Sequence, residues 1–371
     1  LVEAFEQTSA PLTVTADVVD GELELTIIRD PRLLTAEDAA RVVERIEAVL
    51  HAFTVAPSLP VPQLGPEPSQ VPVRPQVGAP TATTLDGALR ESFAMHRDRI
   101  AASDADERVT YRELEERATA LAHALRRNGV RTGDTVAIVG GRSVGLVVAT
   151  LATVLAGGAY VPLEGQTPKS RAATLTNIAS ARVIVCADPS GAELCAALAA
   201  DGKVIVGVDA PIMGEALPSA ATAPDSLVNI MYTSGTTGVP KGVMVPHRAI
   251  LRLARDPELL PFSSEDVLLM TGSVAFDAST IELWATVLHG GHLVLPRHED
   301  LLDPTSLTGL IREHGVTVLW LTVSLFNQLI TMDVGMLDGV QRLYIGGEKV
   351  SADHVALLHG HNPNIRVFNG Y

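Results

Sequence analysis

Between Thr233 and Gly242 the chain reads Thr-Ser-Gly-Thr-Thr-Gly-Val-Pro-Lys-Gly, gathering four hydroxyl side chains, three glycines and one lysine into ten residues. Glycine lets a backbone turn so that successive N–H groups aim at one oxyanion, hydroxyls add donors, and lysine supplies a point charge. This is the composition of an anion-binding loop, and phosphate is the guest it suits. A Walker-type loop needs Gly-Lys-Ser/Thr leading into a helix. Here Lys241 sits between Pro240 and Gly242, and Val243, Met244 and Val245 read as strand. The expected element is a strand-loop-strand hairpin closing over a nucleotide. Its rival is a Gly/Thr-rich surface hairpin that holds no ligand, since such turns are common.

A second chemical feature is Asp277, in Ala275-Phe276-Asp277-Ala278-Ser279-Thr280-Ile281-Glu282. Ser279 and Glu282 have capping-box spacing, which predicts a helix from Thr280 through Trp284 to Leu288. That accounts for both residues and leaves Asp277 unexplained between Phe276 and Ala278. A carboxylate in apolar surroundings is costly unless paired, so an ammonium would suit it. The alternative is a residue that only turns or caps the chain into the helix. Further on, Leu343-Tyr344-Ile345-Gly346-Gly347-Glu348 reads as a strand running into a glycine turn, where open α/β sheets receive ligands. His289, His292 and His298, and separately His354, His359 and His361, lack a zinc-site spacing backed by Cys or carboxylate. They are expected to be surface or core residues.

These features need elements to position them. Residues 11 to 28 alternate as strands around a turn at Asp20-Gly21, and Thr35-Ala36-Glu37-Asp38 is a capping-box pattern opening a helix with the stripe Val42, Val43, Ile46, Val49, Leu50. About fifty residues of this kind are too few for a stable core alone. Eight prolines between Pro57 and Pro80 then predict an extended linker. From Thr84 onward, strands at Thr135–Val139, Tyr160–Leu163, Arg182–Cys186 and Lys203–Val208 alternate with helical stretches, which predicts an α/β fold with a mostly parallel sheet.

Composition narrows the function classes. At 371 residues, 47% hydrophobic but only 4% aromatic, the chain suits an Ala/Val/Leu-packed protein of two or three domains. A net charge of −15 argues against a nucleic-acid partner. Cys186 and Cys195 offer neither a disulfide framework nor a metal knuckle, fit a reducing compartment such as the cytoplasm, and read as small buried hydrophobes. No signal peptide is visible at Leu1-Val2-Glu3-Ala4-Phe5. Ser143 to Leu163 is uncharged, yet Gly157-Gly158 and Pro162 break it into a buried helix and a strand, so no membrane association is expected.

The run Tyr232-Thr-Ser-Gly-Thr-Thr-Gly-Val-Pro-Lys-Gly242 resembles the signature of the superfamily that activates carboxylates as acyl-adenylates. Val109-Thr110-Tyr111-Arg112-Glu113-Leu114 and Leu155-Ala-Gly-Gly-Ala-Tyr-Val-Pro-Leu163 resemble the first two core motifs of adenylation domains of nonribosomal peptide synthetases, with Glu164 where the family more often has Asp. Phe276-Asp277-Ala278-Ser279 resembles the fourth, and Asn369-Gly370-Tyr371 the opening of the fifth. The resemblance covers roughly Thr84 to Tyr371 and implies the large N-terminal subdomain of the acyl-adenylate-forming fold, without its small C-terminal subdomain. The expected division is 1–53, the end of a condensation-type domain, 54–83, the linker, and 84–371, an incomplete adenylation core.

The resemblance implies that Thr233, Ser234, Gly235, Thr236, Thr237, Gly238 and Lys241 hold the phosphates of ATP, with Thr236, Thr237 and Lys241 as the catalytic set. Gly346, Gly347, Glu348, Asn369, Gly370 and Tyr371 would line the adenosine site. Asp277 would bind the α-ammonium of an amino acid and Phe276 would stand near its carboxylate, while Ala278, Ile281, Trp320, Tyr344, Gly346 and Gly370 would face its side chain, a set that suits a valine-like aliphatic substrate. ATP, Mg²⁺, a carrier domain's phosphopantetheine, a condensation domain and an MbtH-like activator follow from the family; metal ligands cannot be assigned. The rivals are an acyl-CoA synthetase, disfavoured by Asp277, and a non-catalytic scaffold fragment.

Overall fold

The structure is a computed structural model that describes residues 12–19, 22–29, 31, 34–55, 84–211, 217–233, 240–255 and 260–370. The chain divides into two compact units, Leu1–Ala79 and Pro80–Tyr371. In the first, β1 (Leu12–Val19) and β2 (Glu22–Arg29) form an antiparallel hairpin that pairs Leu12 with Arg29. Helix α1 (Ala36–Val55) begins with the expected box: Thr35 N–H donates to Asp38, and Asp38 N–H donates to the Thr35 hydroxyl at 3.1 Å. The turn at Asp20-Gly21 and the proline-rich segment 56–83 lie outside the described residues.

The second unit is built on two sheets. One holds β5 (Thr135–Val139), β6 (Ala159–Leu163), β7 (Val183–Cys186), β8 (Val204–Gly207), β9 (Leu227–Thr233) and β10 (Lys241–Pro246), in the order β10-β9-β6-β5-β7-β8. Only β9 and β10 pair antiparallel there. The other holds β3 (Ile100–Ser103), β4 (Arg108–Thr110), β11 (Val267–Leu269), β12 (His292–Val294), β13 (Val318–Thr322), β14 (Arg342–Gly346) and β15 (Arg366–Asn369), in the order β15-β14-β13-β11-β12-β3-β4. It is parallel except for β3 and β4.

Period-two side-chain alternation makes these two sheets part of a layered α/β fold. Val136 and Ile138 of β5, with Leu268, Val318 and Tyr344 of the other sheet, enter one large core containing helices α2 (Leu85–His96), α3 (Tyr111–Arg127), α4 (Val144–Ala156), α7 (His247–Ala254) and α8 (Ala278–His289). Ala137 and Val139 point the other way, onto α5 (Lys169–Ile178) and α6 (Ala192–Ala200). Leu319, Leu321, Leu343 and Ile345 pack against residues from α10 (Pro304–His314), α11 (Val323–Met332) and α12 (Ala352–His361); α9 (His298–Leu302) precedes α10. Every residue of α4 is buried, in keeping with its lack of charge. Among the described residues no helix is long and apolar enough to cross a membrane.

Helix α8 departs from its predicted start. It begins at Ala278, two residues early, with Asp277 in the N-cap position and helical dihedrals there. Ser279 and Glu282 do not form a capping box: the Ser279 hydroxyl donates back to the Phe276 carbonyl at 2.6 Å, and Glu282 turns toward β11. A box with Glu113 instead opens α3 at Thr110. Deeper in the core, Asn229 Nδ2 and Trp284 Nε1 both donate to the Tyr160 hydroxyl, at 3.0 and 3.1 Å, pinning α8 to β6 and β9.

Candidate active site

Parallel pairing puts the C-terminal ends of β5, β6 and β9 at one edge of the first sheet, and those of β11, β13, β14 and β15 at one edge of the second. Three side-chain contacts join these edges. Arg142, just after β5, donates from Nε to the Gly272 carbonyl at 3.0 Å and from its other arm to the Thr271 carbonyl at 2.8 Å. Ser273 donates to Glu164, just after β6, at 2.6 Å. The strand ends of both sheets therefore meet, as ligand-receiving edges of α/β sheets do.

The hairpin expected to hold phosphate leaves this edge. Strand β9 ends at Thr233, β10 begins at Lys241, and the two residues face each other in register. Lys241 is exposed. Ser234, Gly235, Thr236, Thr237 and Gly238 lie outside the described residues, as does Tyr371.

Asp277 stands at the head of α8, whose N-terminus follows β11 toward the same edge. It is exposed, and its neighbour Phe276 is 65% exposed, so the apolar surroundings expected for the carboxylate are not found. The turn projects off the strand ends instead of folding into the core. Nor does the carboxylate cap its helix: among the described residues no backbone N–H donates to it. Among the described residues the Asp277 carboxylate has no hydrogen-bond or ion-pair partner, and it stands at the positive end of a helix.

The pocket residues fall on one ladder. Trp320, Tyr344 and Phe368 are register neighbours on β13, β14 and β15. Their rings stack, with Tyr344 4.7 Å from Phe368 and 6.4 Å from Trp320, centroid to centroid. The indole lies over Gly346 and Gly370: a Cβ added to Gly370 would meet it at 2.4 Å, and one added to Gly346 at 2.8 Å. These glycines thus make room for Trp320. Tyr344 is itself buried, and among the described residues its hydroxyl has no hydrogen-bond partner. Ile281, from α8, packs on the same core, and Ala278 is half-buried at the start of that helix. Gly347 has φ 92°, which favours glycine, and Glu348 accepts from the Ser324 hydroxyl at 3.5 Å. Gly370 N–H donates to the Ile345 carbonyl at 2.7 Å, and Asn369 closes β15.

Glu282 is the residue whose place at this edge its sequence context misassigned. Its carboxylate is 1% exposed and accepts from Thr271 N–H at 2.9 Å and Gly272 N–H at 3.2 Å. A Cβ on residue 272 would lie 2.7 Å from the carboxylate, so glycine is needed there. A glutamate inside an otherwise apolar helix was the available signal. Burial pushes Glu282 up to about 7, against the N–H donors and Arg142. Unfolded, it titrates near 4.5. Below that value the folded protein gains from the retained proton, and the gain disappears as pH rises through 7, a difference of about 3 kcal/mol. Urea unfolding at pH 5 and pH 8 should show this loss in the wild type and little of it in Glu282→Gln; equal slopes in both would refute the assignment.

An open cleft of about 590 Å³ lined by Ser263, Asp266, Arg342 and Arg366 lies at the opposite, N-terminal ends of these strands and is separate from the site. Among the described residues no group of three or more His, Cys, Asp or Glu gathers as a metal site.

A family described as AMP-binding enzyme matches residues 89–371. The chain is 35% identical over 288 residues to surfactin synthase subunit 2 of Bacillus subtilis (strain 168), covering 76% of this chain and 8% of that one. It is 30% identical over 373 residues to gramicidin S synthase 2 of Brevibacillus brevis, covering 97% of this chain and 8% of that one. The chain thus spans less than a tenth of the length of these relatives. Among solved structures, it is similar to holo-PA1221, a protein containing adenylation and PCP domains bound to a vinylsulfonamide inhibitor (TM-score 0.69, 30% identity, 78% of this chain and 49% of that one). It is also similar to the N-terminal subdomain of Klebsiella oxytoca NpsA in complex with 3-hydroxyanthranilyl-AMSN (TM-score 0.68, 26% identity, 77% of this chain and 71% of that one).

Proposed function

The chain belongs to the AMP-binding enzyme family, and on that premise we propose that it is the nucleotide- and amino-acid-binding core of a nonribosomal peptide synthetase adenylation domain. The full domain activates an amino acid with ATP as aminoacyl-AMP, releasing pyrophosphate, and passes the acyl group to the phosphopantetheine thiol of a carrier domain. One observation carries the amino-acid reading: the Asp277 carboxylate, unpartnered among the described residues, at the head of α8 beside the meeting strand ends. An ammonium pairs with it; a fatty acid offers it nothing.

In this reading ATP supplies the α-phosphorus that the substrate carboxylate attacks. The protein's part is alignment and charge neutralisation. Thr233, Ser234, Gly235, Thr236, Thr237, Gly238 and Lys241 hold the phosphates, and Gly346, Gly347, Glu348, Asn369, Gly370 and Tyr371 line the adenosine site. Hydroxyls, backbone N–H groups and one lysine are a donor set that fits an anionic nucleotide. Mg²⁺ is assigned no ligand in this chain. Residues 1–53 are the end of a condensation-type domain and 54–83 a linker, and an MbtH-like protein is a candidate activator.

The test is amino-acid-dependent exchange of labelled pyrophosphate into ATP, across all twenty amino acids, with the adenylation domain completed by its C-terminal subdomain. Exchange with one aliphatic amino acid is expected; silence with every amino acid, with an MbtH-like protein present, would sink the reading in favour of an acyl substrate or a scaffold. The stacked indole over Gly346 and Gly370 supports a small aliphatic side chain. Apolar pockets discriminate by about 10- to 200-fold per methylene, so Trp320→Ala should raise the ratio of phenylalanine- to valine-dependent exchange by about 100-fold. An unchanged ratio would remove Trp320 from the pocket.

A further inference from the structure

The segment between β11 and α8 is held through both its N–H and its C=O groups. Glu282 accepts the N–H groups of Thr271 and Gly272, while Arg142 donates to the carbonyls of the same two residues. The Thr271 hydroxyl donates to the Trp320 carbonyl, which ties the segment to the strand that carries the indole. One residue on, Ser273 donates to Glu164 at 2.6 Å and accepts from Ala275 N–H at 3.3 Å. The chain then makes a single turn, with Phe276 N–H donating to the Ser273 carbonyl, and reaches Asp277. Glycine at 272 admits the carboxylate, as the 2.7 Å approach requires.

A salt bridge between Arg142 and Glu282 is absent among the described residues; they hold the N–H and the C=O groups of the same two residues. A half-buried guanidinium and a buried carboxylate used in this way fix a backbone more tightly than turn propensity does, because charge-assisted hydrogen bonds out of water are the strong ones. Asp277, by contrast, is exposed and untethered at its side chain. Its position comes from the backbone behind it.

We propose that Arg142 and Glu282 are positioning residues for amino-group recognition, clasping Thr271–Gly272 so that the following turn presents Asp277 to the substrate's ammonium. The inference rests on the amino-acid reading above. It brings Arg142, after β5, and Glu282, within α8, into the discrimination between an amino acid and its deaminated analogue.

The experiment is calorimetric titration of the chain with valyl-sulfamide adenosine, with its 3-methylbutanoyl counterpart lacking the α-amino group, and with AMP. Where another of the twenty aminoacyl analogues binds more tightly, it and its deaminated counterpart form the pair. The wild type should prefer the aminoacyl analogue by about 30-fold or more, the scale for one desolvated charge pair. Glu282→Met and Arg142→Met should each cut that preference below about threefold, with AMP affinity held within about twofold, because only the turn is released. Glu282→Gln should restore it, since the amide oxygen still accepts both N–H groups. Ser273→Ala, which cuts only the exposed link to Glu164 and Ala275, should lower the preference about threefold by the same logic and carries the test if the buried variants do not fold. A preference unchanged in the folded variants, or lost in step with AMP binding, overturns the proposal. No preference in the wild type overturns the amino-acid reading itself and is thereby a distinct result.

Discussion

Asp277→Ala should lower kcat/KM for the amino acid in pyrophosphate exchange by about 10²- to 10³-fold, with the KM for ATP nearly unchanged. The reason is electrostatic and local. The carboxylate has no partner among the described residues, so removing it strands no protein group. The loss falls on the substrate, whose ammonium would leave water for a site without a counter-charge. Because the contact exists in the ground state as well as the transition state, the effect should appear mainly as a raised KM for the amino acid. Asp277→Asn should lie between, since an amide oxygen still accepts a hydrogen bond but carries no charge. Wild-type kinetics in Asp277→Ala would remove the ammonium site from this turn and reopen the acyl-substrate alternative.

The second large effect is on stability. Asp266, just before β11, is 4% exposed at its side chain and pairs with Arg342, which is 11% exposed and opens β14. The same carboxylate accepts from Ser263 N–H at 2.7 Å and from the Thr317 hydroxyl at 3.3 Å, while Arg342 also donates to the Pro261 carbonyl. Asp266→Ala leaves a buried guanidinium uncompensated, which should cost about 3–5 kcal/mol. The double variant Asp266→Ala/Arg342→Met removes both charges and should recover much of that loss, since desolvation roughly offsets the attraction of a buried pair. Urea unfolding of the four-member cycle measures the coupling; a loss under about 1 kcal/mol in Asp266→Ala would show the pair to be solvated. Because β14 carries Tyr344 and Gly346, a frayed start to that strand should also loosen the aromatic ladder on which Trp320 rests.

The layered architecture was readable because its signals are local. The apolar runs at Thr135–Val139 and Val318–Thr322 and the uncharged helix Val144–Ala156 have the lengths and periods of the elements they form. The Thr35–Asp38 box formed as read, because every group it needs lies within four residues. Ser279 and Glu282 have the same kind of spacing and did not. Once Asp277 adopts helical dihedrals the helix starts earlier, and Ser279 finds a nearer carbonyl.

Sequence alone determined the α/β class, the strands between Thr135 and Val208, the hairpin between β9 and β10, and the motifs that carry Asp277, Trp320 and the glycines. All of these are encoded by residue type and by spacing along the chain. The tertiary structure alone decided which groups hold that site in place. Glu282 meets Gly272 across ten residues of chain and Arg142 meets Gly272 across 130. No periodicity specifies such a pairing. Burying α8 between two sheets strips the water from a carboxylate that must then find donors, and the donors within reach are those that the convergence of the strand ends delivers.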